Sequence, residues 1–587
     1  MTLNADPPPS LDALSALGSQ LLNQERPLTR GTALALVIAV GIFANWPALL
    51  SDSIMWDDWI VLTWITQARP DWMFQFFSSY GVTPYILVDF PFIAFVQHAA
   101  TSVLIAKIIY FSSVIISAVL IMLISKRVAH GNLLFATLAG ASAACCPAWS
   151  GEGFHLAGLI YSLIIASFLV GMLFFIQVAS STRRRLAIRV IALSALFLSF
   201  SLNSLLVLFY ALVPAVFYAS LQNELKDLRT LFLNARVFLI RHLDFLVLPI
   251  VFWVLKETLM PRVGIYVRYN KISFDWIRIF ISYLRLIPDI LGTNIFVPFS
   301  IPIGSLAAVV IFLIVFLGSR LVLARFENDA EAARSHLKML FGLGILALLG
   351  TALPYYLVGR RTFYAYGFNS RDSVLFPLSV SWITAALFCM LLKLRASFQA
   401  PEPQGSGLLR RRVAIGAFAA LIVAQSFSNW RNHADWQAHY AYYRSAIEKV
   451  AHDQLVGQAS VIQVIDKLPR DRTLRTWNYP TSIWTEIISA AFQKTTRLAI
   501  PYPPENSRFF TRDEINRRVR ETEVAFMLSG IDLDGQQIRL TVEPGSGARD
   551  PIHLALAYWR ARFFAPDDMP KLLDSLTRIR SERIGGE

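Results

Sequence analysis

The feature that most constrains this chain is a series of long apolar runs separated by short tracts of Lys and Arg. The hydrocarbon core of a bilayer is about 30 Å thick and takes roughly 20 apolar residues per helix. The sequence therefore predicts an all-α polytopic membrane bundle of about 11 transmembrane helices. The predicted spans are 31–50, 102–125, 132–149, 155–178, 187–203, 204–221, 243–260, 301–322, 338–358, 373–393 and 413–430.

The Lys and Arg residues between the runs indicate how the bundle is oriented. Cytoplasmic loops of membrane proteins carry an excess of these residues. Every second connection here is basic, whereas the loops 51–101 and 150–154 contain only Arg69 between them. This bias places the N-terminal segment 1–30 in the cytoplasm, and an odd number of spans then places the C-terminal part outside. We therefore expect a multi-pass protein of a bacterial inner (plasma) membrane.

Composition agrees with a membrane protein and argues against nucleic acid as a partner. Only 16% of the 587 residues are charged, where a soluble domain has about 25%. The net charge of +14 comes from the tracts between apolar runs, which is typical of membrane topology rather than of a basic binding face. The three cysteines lack the spacing of metal ligands, so the sequence predicts no metal site. It contains no Gly-rich nucleotide-binding motif, so it predicts no cofactor.

Two predicted outer segments, 261–300 and 359–372, depart from the charge rule because both are basic. Positive charge on this side indicates either a function there or an amphipathic segment that lies on anionic headgroups of membrane lipids. The sequence leaves both interpretations open for 261–300.

From residue 431 the composition becomes polar and mixed, which predicts a C-terminal extracytoplasmic α/β domain over 431–587. The pattern of 433–455 predicts a helix, 460–465 a strand, and 523–528 with 537–542 a pair of strands. Four aromatic residues could form either a sugar-stacking surface or the core of this domain. They are Trp477, Tyr479, Trp484 and Tyr502.

The first outer loop, 51–101, begins with two adjacent acids between tryptophans, in the stretch Ser51–Trp59. Trp is expected at a membrane interface, but paired Asp residues are costly to desolvate there. Partial burial would make Asp57 or Asp58 a better base toward a hydroxyl group. The alternative is structural, with one of the two acids capping a helix that follows.

An acidic motif just past an uncleaved first span resembles the membrane-embedded GT-C glycosyltransferases. The similarity covers the topology of 31–430 and the first outer loop with its interfacial helix 83–98. The resemblance implies a polyprenyl-phosphate sugar donor, a glycan, lipid or protein acceptor on the outer face, and Asp57 or Asp58 as catalytic base. It requires neither cofactor nor metal.

The same resemblance implies a second acid in an outer loop and basic residues that bind the donor phosphate in a late outer loop. Glu152, in a glycine-flanked turn, is the candidate second acid, with His155 and Asp89 as further candidates for substrate binding. An ordinary turn with a solvated Glu152 is the alternative. Arginine binds phosphate through two hydrogen bonds, and tyrosines could stack on sugar. The donor-phosphate candidates are Arg360, Arg361, Arg371, Tyr364 and Tyr366.

Two other functions remain open. A polysaccharide polymerase or ligase of the Wzy/O-antigen-ligase type would share the lipid donor and the outer arginines, but not the acidic first loop. A transporter or flippase of lipid-linked saccharides would place ionisable residues within its spans and show helical repeats.

Overall fold

The chain forms a bundle of helices that packs against a small mixed α/β domain. The computed structural model describes residues 29–54, 57–81, 99–149, 159–181, 186–221, 228–263, 267, 271–292, 294, 298, 306–324, 334–360, 373–393, 406–469, 481–493, 497–501, 511–520, 525–528, 531–547 and 550–584.

Sixteen described helices belong to the bundle and to the first loop. They are α1 (Arg30–Asn45), α2 (Pro47–Leu50), α3 (Asp57–Thr66), α4 (Pro70–Tyr80), α5 (Ala99–Val128), α6 (Leu133–Cys145), α7 (Leu159–Ala179), α8 (Leu186–Ser199), α9 (Ser204–Ser220), α10 (Leu228–Arg241), α11 (Leu243–Leu259), α12 (Trp276–Leu291), α13 (Leu306–Ala324), α14 (Arg334–Leu357), α15 (Pro377–Lys393) and α16 (Ser406–His452).

Several of these helices have the length and composition of membrane spans. Among the described residues, four pass both criteria, within α5, α7, α14 and α16, and α10 with α11 adds a fifth if that pair, bent by 54°, is one span. This is the architecture of a helical membrane protein. Other apolar helices have only 10–17 residues, so about 11 spans remain a prediction.

Helix α6 lies at the centre of the bundle, and all 13 of its residues are buried. It packs against α1, α5 and α15. A Cβ atom at Gly140 would lie 2.8 Å from the Met122 side chain and 2.9 Å from that of Val37. Small residues let membrane helices approach closely, and the Ala- and Gly-rich sequence of α6 therefore permits three neighbours to surround it.

The last bundle helix continues into the C-terminal domain without a break. Helix α16 has 47 residues, which at 1.5 Å per residue gives a length of about 70 Å. The sequence predicted a span to residue 430 and a separate helix over 433–455. The helix instead passes straight through this boundary, because no Pro or Gly interrupts it between Gly416 and His452.

The C-terminal domain contains four strands, β1 (Val461–Asp466), β2 (Leu498–Pro501), β3 (Gln537–Pro544) and β4 (Thr577–Arg583). They form one sheet in the order β2-β1-β3-β4. Strands β1, β2 and β3 pair in parallel, and β4 is antiparallel to β3. The predicted strand 460–465 corresponds to β1. The predicted pairing of 523–528 with 537–542 is wrong, since 525–528 forms a 3-10 helix and β3 pairs with β1 and β4. The helices of this domain are α17 (Gln454–Gln458), α18 (Thr481–Phe492), α19 (Arg512–Arg520), α20 (Pro551–Phe563) and α21 (Met569–Leu576).

Candidate functional site

The acid pair of the first loop begins helix α3. Asp57 and Asp58 are its first two residues, where the positive end of the helix dipole favours carboxylates. The helix therefore begins at the acids themselves rather than after them. Asp58 is completely buried, whereas the side chain of Asp57 lies outside the described part of the structure.

Two other buried ionisable side chains are linked to Asp58 by electrostatic interactions, Lys107 directly and His433 through Lys107. Lys107 on α5 is 4% exposed, and His433 on α16 is fully buried. The charges of Asp58 and Asp52 both act on the Lys107 ammonium group, and the charge of Lys107 acts on His433. We call Asp58, Lys107 and His433 the buried ion cluster.

Burial of this cluster has an energetic reason and a functional meaning. An isolated charge is expensive to remove from water, and an opposite charge nearby compensates part of that cost. Lys107 can therefore remain inside the bundle because Asp58 and Asp52 lie near it. Ionisable residues within membrane bundles face the interior and mark functional sites.

Helix α6 ends inside the bundle, with its last residues buried. Its 13 residues span about 20 Å, less than the 30 Å or so of a bilayer core. The last carbonyl groups of a helix lack partners within it, and side chains from three elements satisfy them here. Trp149 Nε1 donates to Ala143 O (2.7 Å), Asn45 Nδ2 to Ala144 O (2.9 Å) and Asn429 Nδ2 to Cys145 O (3.2 Å).

Two of the neighbouring contacts relate the end of α6 to the buried ion cluster. Asn429 lies one helical turn before His433 on α16. The Tyr110 hydroxyl, one turn after Lys107 on α5, donates to Trp149 O at 2.9 Å. The residues that hold the chain from Cys145 to Trp149 therefore lie one helical turn from Lys107 and from His433. The segment with Glu152, which follows in the sequence, lies outside the described residues.

Helix α3 also packs on the C-terminal domain. The Trp59 ring lies 6.2 Å from that of Tyr440. Further along α3, the Thr63 hydroxyl lies beside Glu486, a fully buried residue of α18. Burial raises the pKa of Glu486 to about 8, against a smaller lowering by Thr63. The carboxyl group of Glu486 is therefore mostly protonated at neutral pH.

The start of the late outer loop is attached to α12. The backbone N–H of Ser273 donates to Leu357 O at 2.7 Å, and the Arg278 guanidinium group donates to Gly359 O. Gly359 has a positive φ of 73°, a conformation that favours glycine. Arg360 follows, half-buried, with its backbone N–H bonded to Tyr355 O at 2.9 Å. Its predicted contact with a donor phosphate stays a prediction.

The remaining candidates lie outside the described residues, so their roles also stay predictions. They are Asp89, Glu152, His155, Arg361, Tyr364, Tyr366 and Arg371. Of the four aromatic residues of the C-terminal domain, Trp484 is described. It is 1% exposed and packs on Tyr443 at a ring distance of 5.6 Å, which makes it a core residue.

Sequence reasoning missed most of the buried ionisable side chains described above. Lys107 carried a visible signal, because it is the one charge in the otherwise apolar predicted span 102–125. His433 carried a weaker one, on the polar face of a helix assigned to another domain. No local pattern marks Glu486 or Asp52, whose partners are distant in sequence.

Comparisons with known proteins add little to this description. No protein-family profile matches the chain, and no curated protein matches it. Among solved structures, the chain is similar to the oligosaccharyltransferase of Archaeoglobus fulgidus over 92% of its own length and 70% of that chain, with 11% identity and a TM-score of 0.30. A similarity this low assigns neither a family nor an activity.

Proposed function

We propose that the chain is a GT-C-type glycosyltransferase that moves a sugar from a polyprenyl-phosphate donor to an envelope glycan, lipid or protein acceptor on the outer face of the inner membrane. The observation that carries the proposal is the buried ion cluster, in which the charge of Asp58 acts on Lys107 and that of Lys107 acts on His433. The acidic motif and its position after the first apolar run supply the reaction class by resemblance.

In the proposed reaction, the Asp57–Asp58 pair supplies the general base. A carboxylate takes the proton of the acceptor hydroxyl as its oxygen bonds to the anomeric carbon, and the bond from that carbon to the phosphate oxygen breaks. Lys107 compensates the negative charge of Asp58 and fixes its position. Arg360, Arg361 and Arg371 are the proposed contacts of the leaving phosphate.

A second candidate function draws support from the same cluster. Buried Asp, Lys and His side chains in a membrane bundle also serve as proton relays in transporters. Lys107 lies within a span, as a flippase of lipid-linked saccharides would require. The two functions differ in outcome, because a transferase changes the covalent structure of the saccharide and a flippase only moves it.

The decisive experiment compares envelope glycans and lipid-linked intermediates by mass spectrometry in cells with the protein, without it, and with single variants. Asp57→Asn and Asp58→Asn should each be tested, with Asp71→Asn as the control, an exposed acid of the same loop. We expect loss of one glycan modification and accumulation of its donor in at least one test variant and in the deletion.

Two outcomes would overturn the transferase proposal. One is an unchanged set of glycans in the deletion strain. The other is purified protein in liposomes that moves a lipid-linked saccharide across the bilayer without transferring it.

A further inference from the structure

Asp52, at the start of the first outer loop, is held by the C-terminal domain. Its Oδ2 accepts a hydrogen bond from the Tyr558 hydroxyl at 3.0 Å and lies 3.2 Å from Arg562 Nη1. Its Oδ1 accepts from Gln437 Nε2 at 2.9 Å. Arg444 Nη1 lies 4.0 Å away. The Asp52 side chain is 19% exposed, so these contacts are largely shielded from solvent.

Gln437 of α16 binds the same short segment through its carbonyl oxygen. Its fully buried Oε1 accepts from the Ser51 hydroxyl at 3.1 Å and from the Asp52 backbone N–H at 3.2 Å. One glutamine therefore contacts both the backbone and the side chain of Asp52. Such paired contacts fix an orientation as well as a distance.

Two residues of α20 complete the arrangement. Arg562 Nη1 donates to Leu50 O at 3.2 Å, which attaches the end of α2. Burial raises the pKa of Tyr558 well above its ordinary value, so its hydroxyl keeps its proton and donates to Asp52. Arg444 Nη1 donates to the Tyr558 oxygen at 2.6 Å and orients that hydroxyl.

Helix α3, which begins a few residues after Asp52, is also held by this domain. It packs on α18 more extensively than on α4 or α5. Trp59 lies against Tyr440, and Thr63 against Glu486. The helix that carries Asp58 is thus fixed by the C-terminal part of the chain both before its start and along its length.

From these contacts we propose that the C-terminal domain acts as a clamp that positions the first outer loop, with Asp52 as its central positioning residue. The clamp consists of Gln437, Arg444, Tyr558 and Arg562 around Asp52, together with α18 against α3. The domain then serves the site in cis. The activity assay below rests on the proposed function, and the hydrogen-exchange test does not.

Hydrogen exchange of the full-length protein in detergent tests the clamp directly. Asp52→Ala should speed exchange of the amides of 57–66 at least tenfold, while exchange in β1 and β3 stays unchanged. Tyr558→Phe removes one donor and keeps the packing, so it should give about a threefold effect. Glu543→Ala breaks the Lys467–Glu543 ion pair of the same domain (2.7 Å) and should leave 57–66 unaffected.

Unchanged exchange of 57–66 in both Asp52→Ala and Tyr558→Phe would overturn the clamp. An equal acceleration of exchange in β1 and β3 would also overturn it, because Asp52 would then serve general stability only.

An activity assay adds a second arm. Asp52→Ala should lower turnover at least tenfold with the donor KM unchanged, and Asp52→Asn, which keeps a hydrogen-bond acceptor, should recover part of it. If wild-type protein transfers no sugar, the proposed function fails while the exchange result still decides the clamp.

Discussion

The first outer loop and the segment 260–292 distribute their residues in opposite ways. In the first loop, Asp58 is fully buried, the Asp52 side chain is only 19% exposed, and tryptophans such as Trp64 lie in the core. In the second segment, Ile277 is 75% exposed and Phe280 62%. One loop folds inward against protein, and the other turns apolar side chains outward. Exposed apolar surface of this size fits a lipid environment rather than water.

The inner face of α12 shows what holds the second segment. Ile279 is 5% exposed and packs with Leu286 and Tyr356, and the Tyr283 ring lies 4.9 Å from that of Tyr356. Arg278 binds Gly359 O. One basic residue of this segment therefore has a structural contact, whereas headgroup binding by the others stays a prediction. The first outer loop is the candidate reactive loop because it contains buried charge, whereas the described part of the second segment shows packing contacts.

The largest effect should come from removing a charge from the buried first-loop site. Lys107→Met leaves Asp58 uncompensated and should lower the free energy of unfolding by about 3–5 kcal/mol. The double variant Lys107→Met/Asp58→Asn should recover much of the loss. Thermal stability in detergent measures both, with exposed Arg285→Met on α12 as the control. If the double variant is no more stable than the single, Asp58 is not the partner of Lys107.

A smaller effect should separate the two faces of α12. Ile279→Ala should cost about 2–4 kcal/mol because it leaves a cavity, and Ile277→Ala should cost less than about 0.5 kcal/mol. Equal effects of the two substitutions in the same thermal assay would contradict the assignment of an inner and an outer face.

The pH dependence of stability tests the contact between α3 and the C-terminal domain. The folded pKa of Glu486 is raised from 4.5 to about 8, so the folded protein keeps a proton that the unfolded chain releases. The stabilisation that comes from this bound proton is complete below about pH 4.5 and is lost as the pH rises to about 8. Between pH 5 and 7, the free energy of unfolding of the wild type should fall by about 1 kcal/mol per pH unit relative to that of Glu486→Gln, as measured by chemical denaturation in detergent.

Glu543→Gln is a matched control for this titration. The Lys467 ammonium group lowers the pKa of Glu543, so its effect has the opposite sign and is confined to acidic pH. Parallel curves for wild type and Glu486→Gln from pH 5 to 7 would show that Glu486 is not buried in the protonated form.

The smallest effect should come from the exposed ion pair of the first loop. Arg69 Nη2 lies 2.6 Å from Asp71 Oδ2, and the two side chains are 42% and 51% exposed. Solvent-exposed pairs contribute little. Asp71→Asn should therefore change the free energy of unfolding by less than about 0.5 kcal/mol. A loss comparable to that of Lys107→Met would remove the distinction between buried and exposed charge.

Much of the helical framework follows from the sequence, and little of the site does. Apolar runs predicted α5, α7 and α14, because a run of that length must be buried or lie in lipid. Lys107 was overlooked because one lysine hardly alters the mean hydropathy of a long apolar run. The hydrogen bond from Tyr558 to Asp52 joins residues 506 positions apart, and a single sequence has no local pattern that records such a pairing. The 3-10 helix at 525–528 has strand-like composition, which tertiary packing overrides.

The early end of α6 has one more consequence. A helix of about 20 Å in a layer of about 30 Å leaves roughly 10 Å to be filled by the chain that follows it, which begins with the 3-10 helix Pro147–Trp149, and by the side chains that cap it. Polar groups can then sit beneath the level of the phospholipid phosphates while remaining enclosed by protein. A molecule dissolved in the bilayer would approach such groups laterally, from between the lipid chains, and would not need to enter water first.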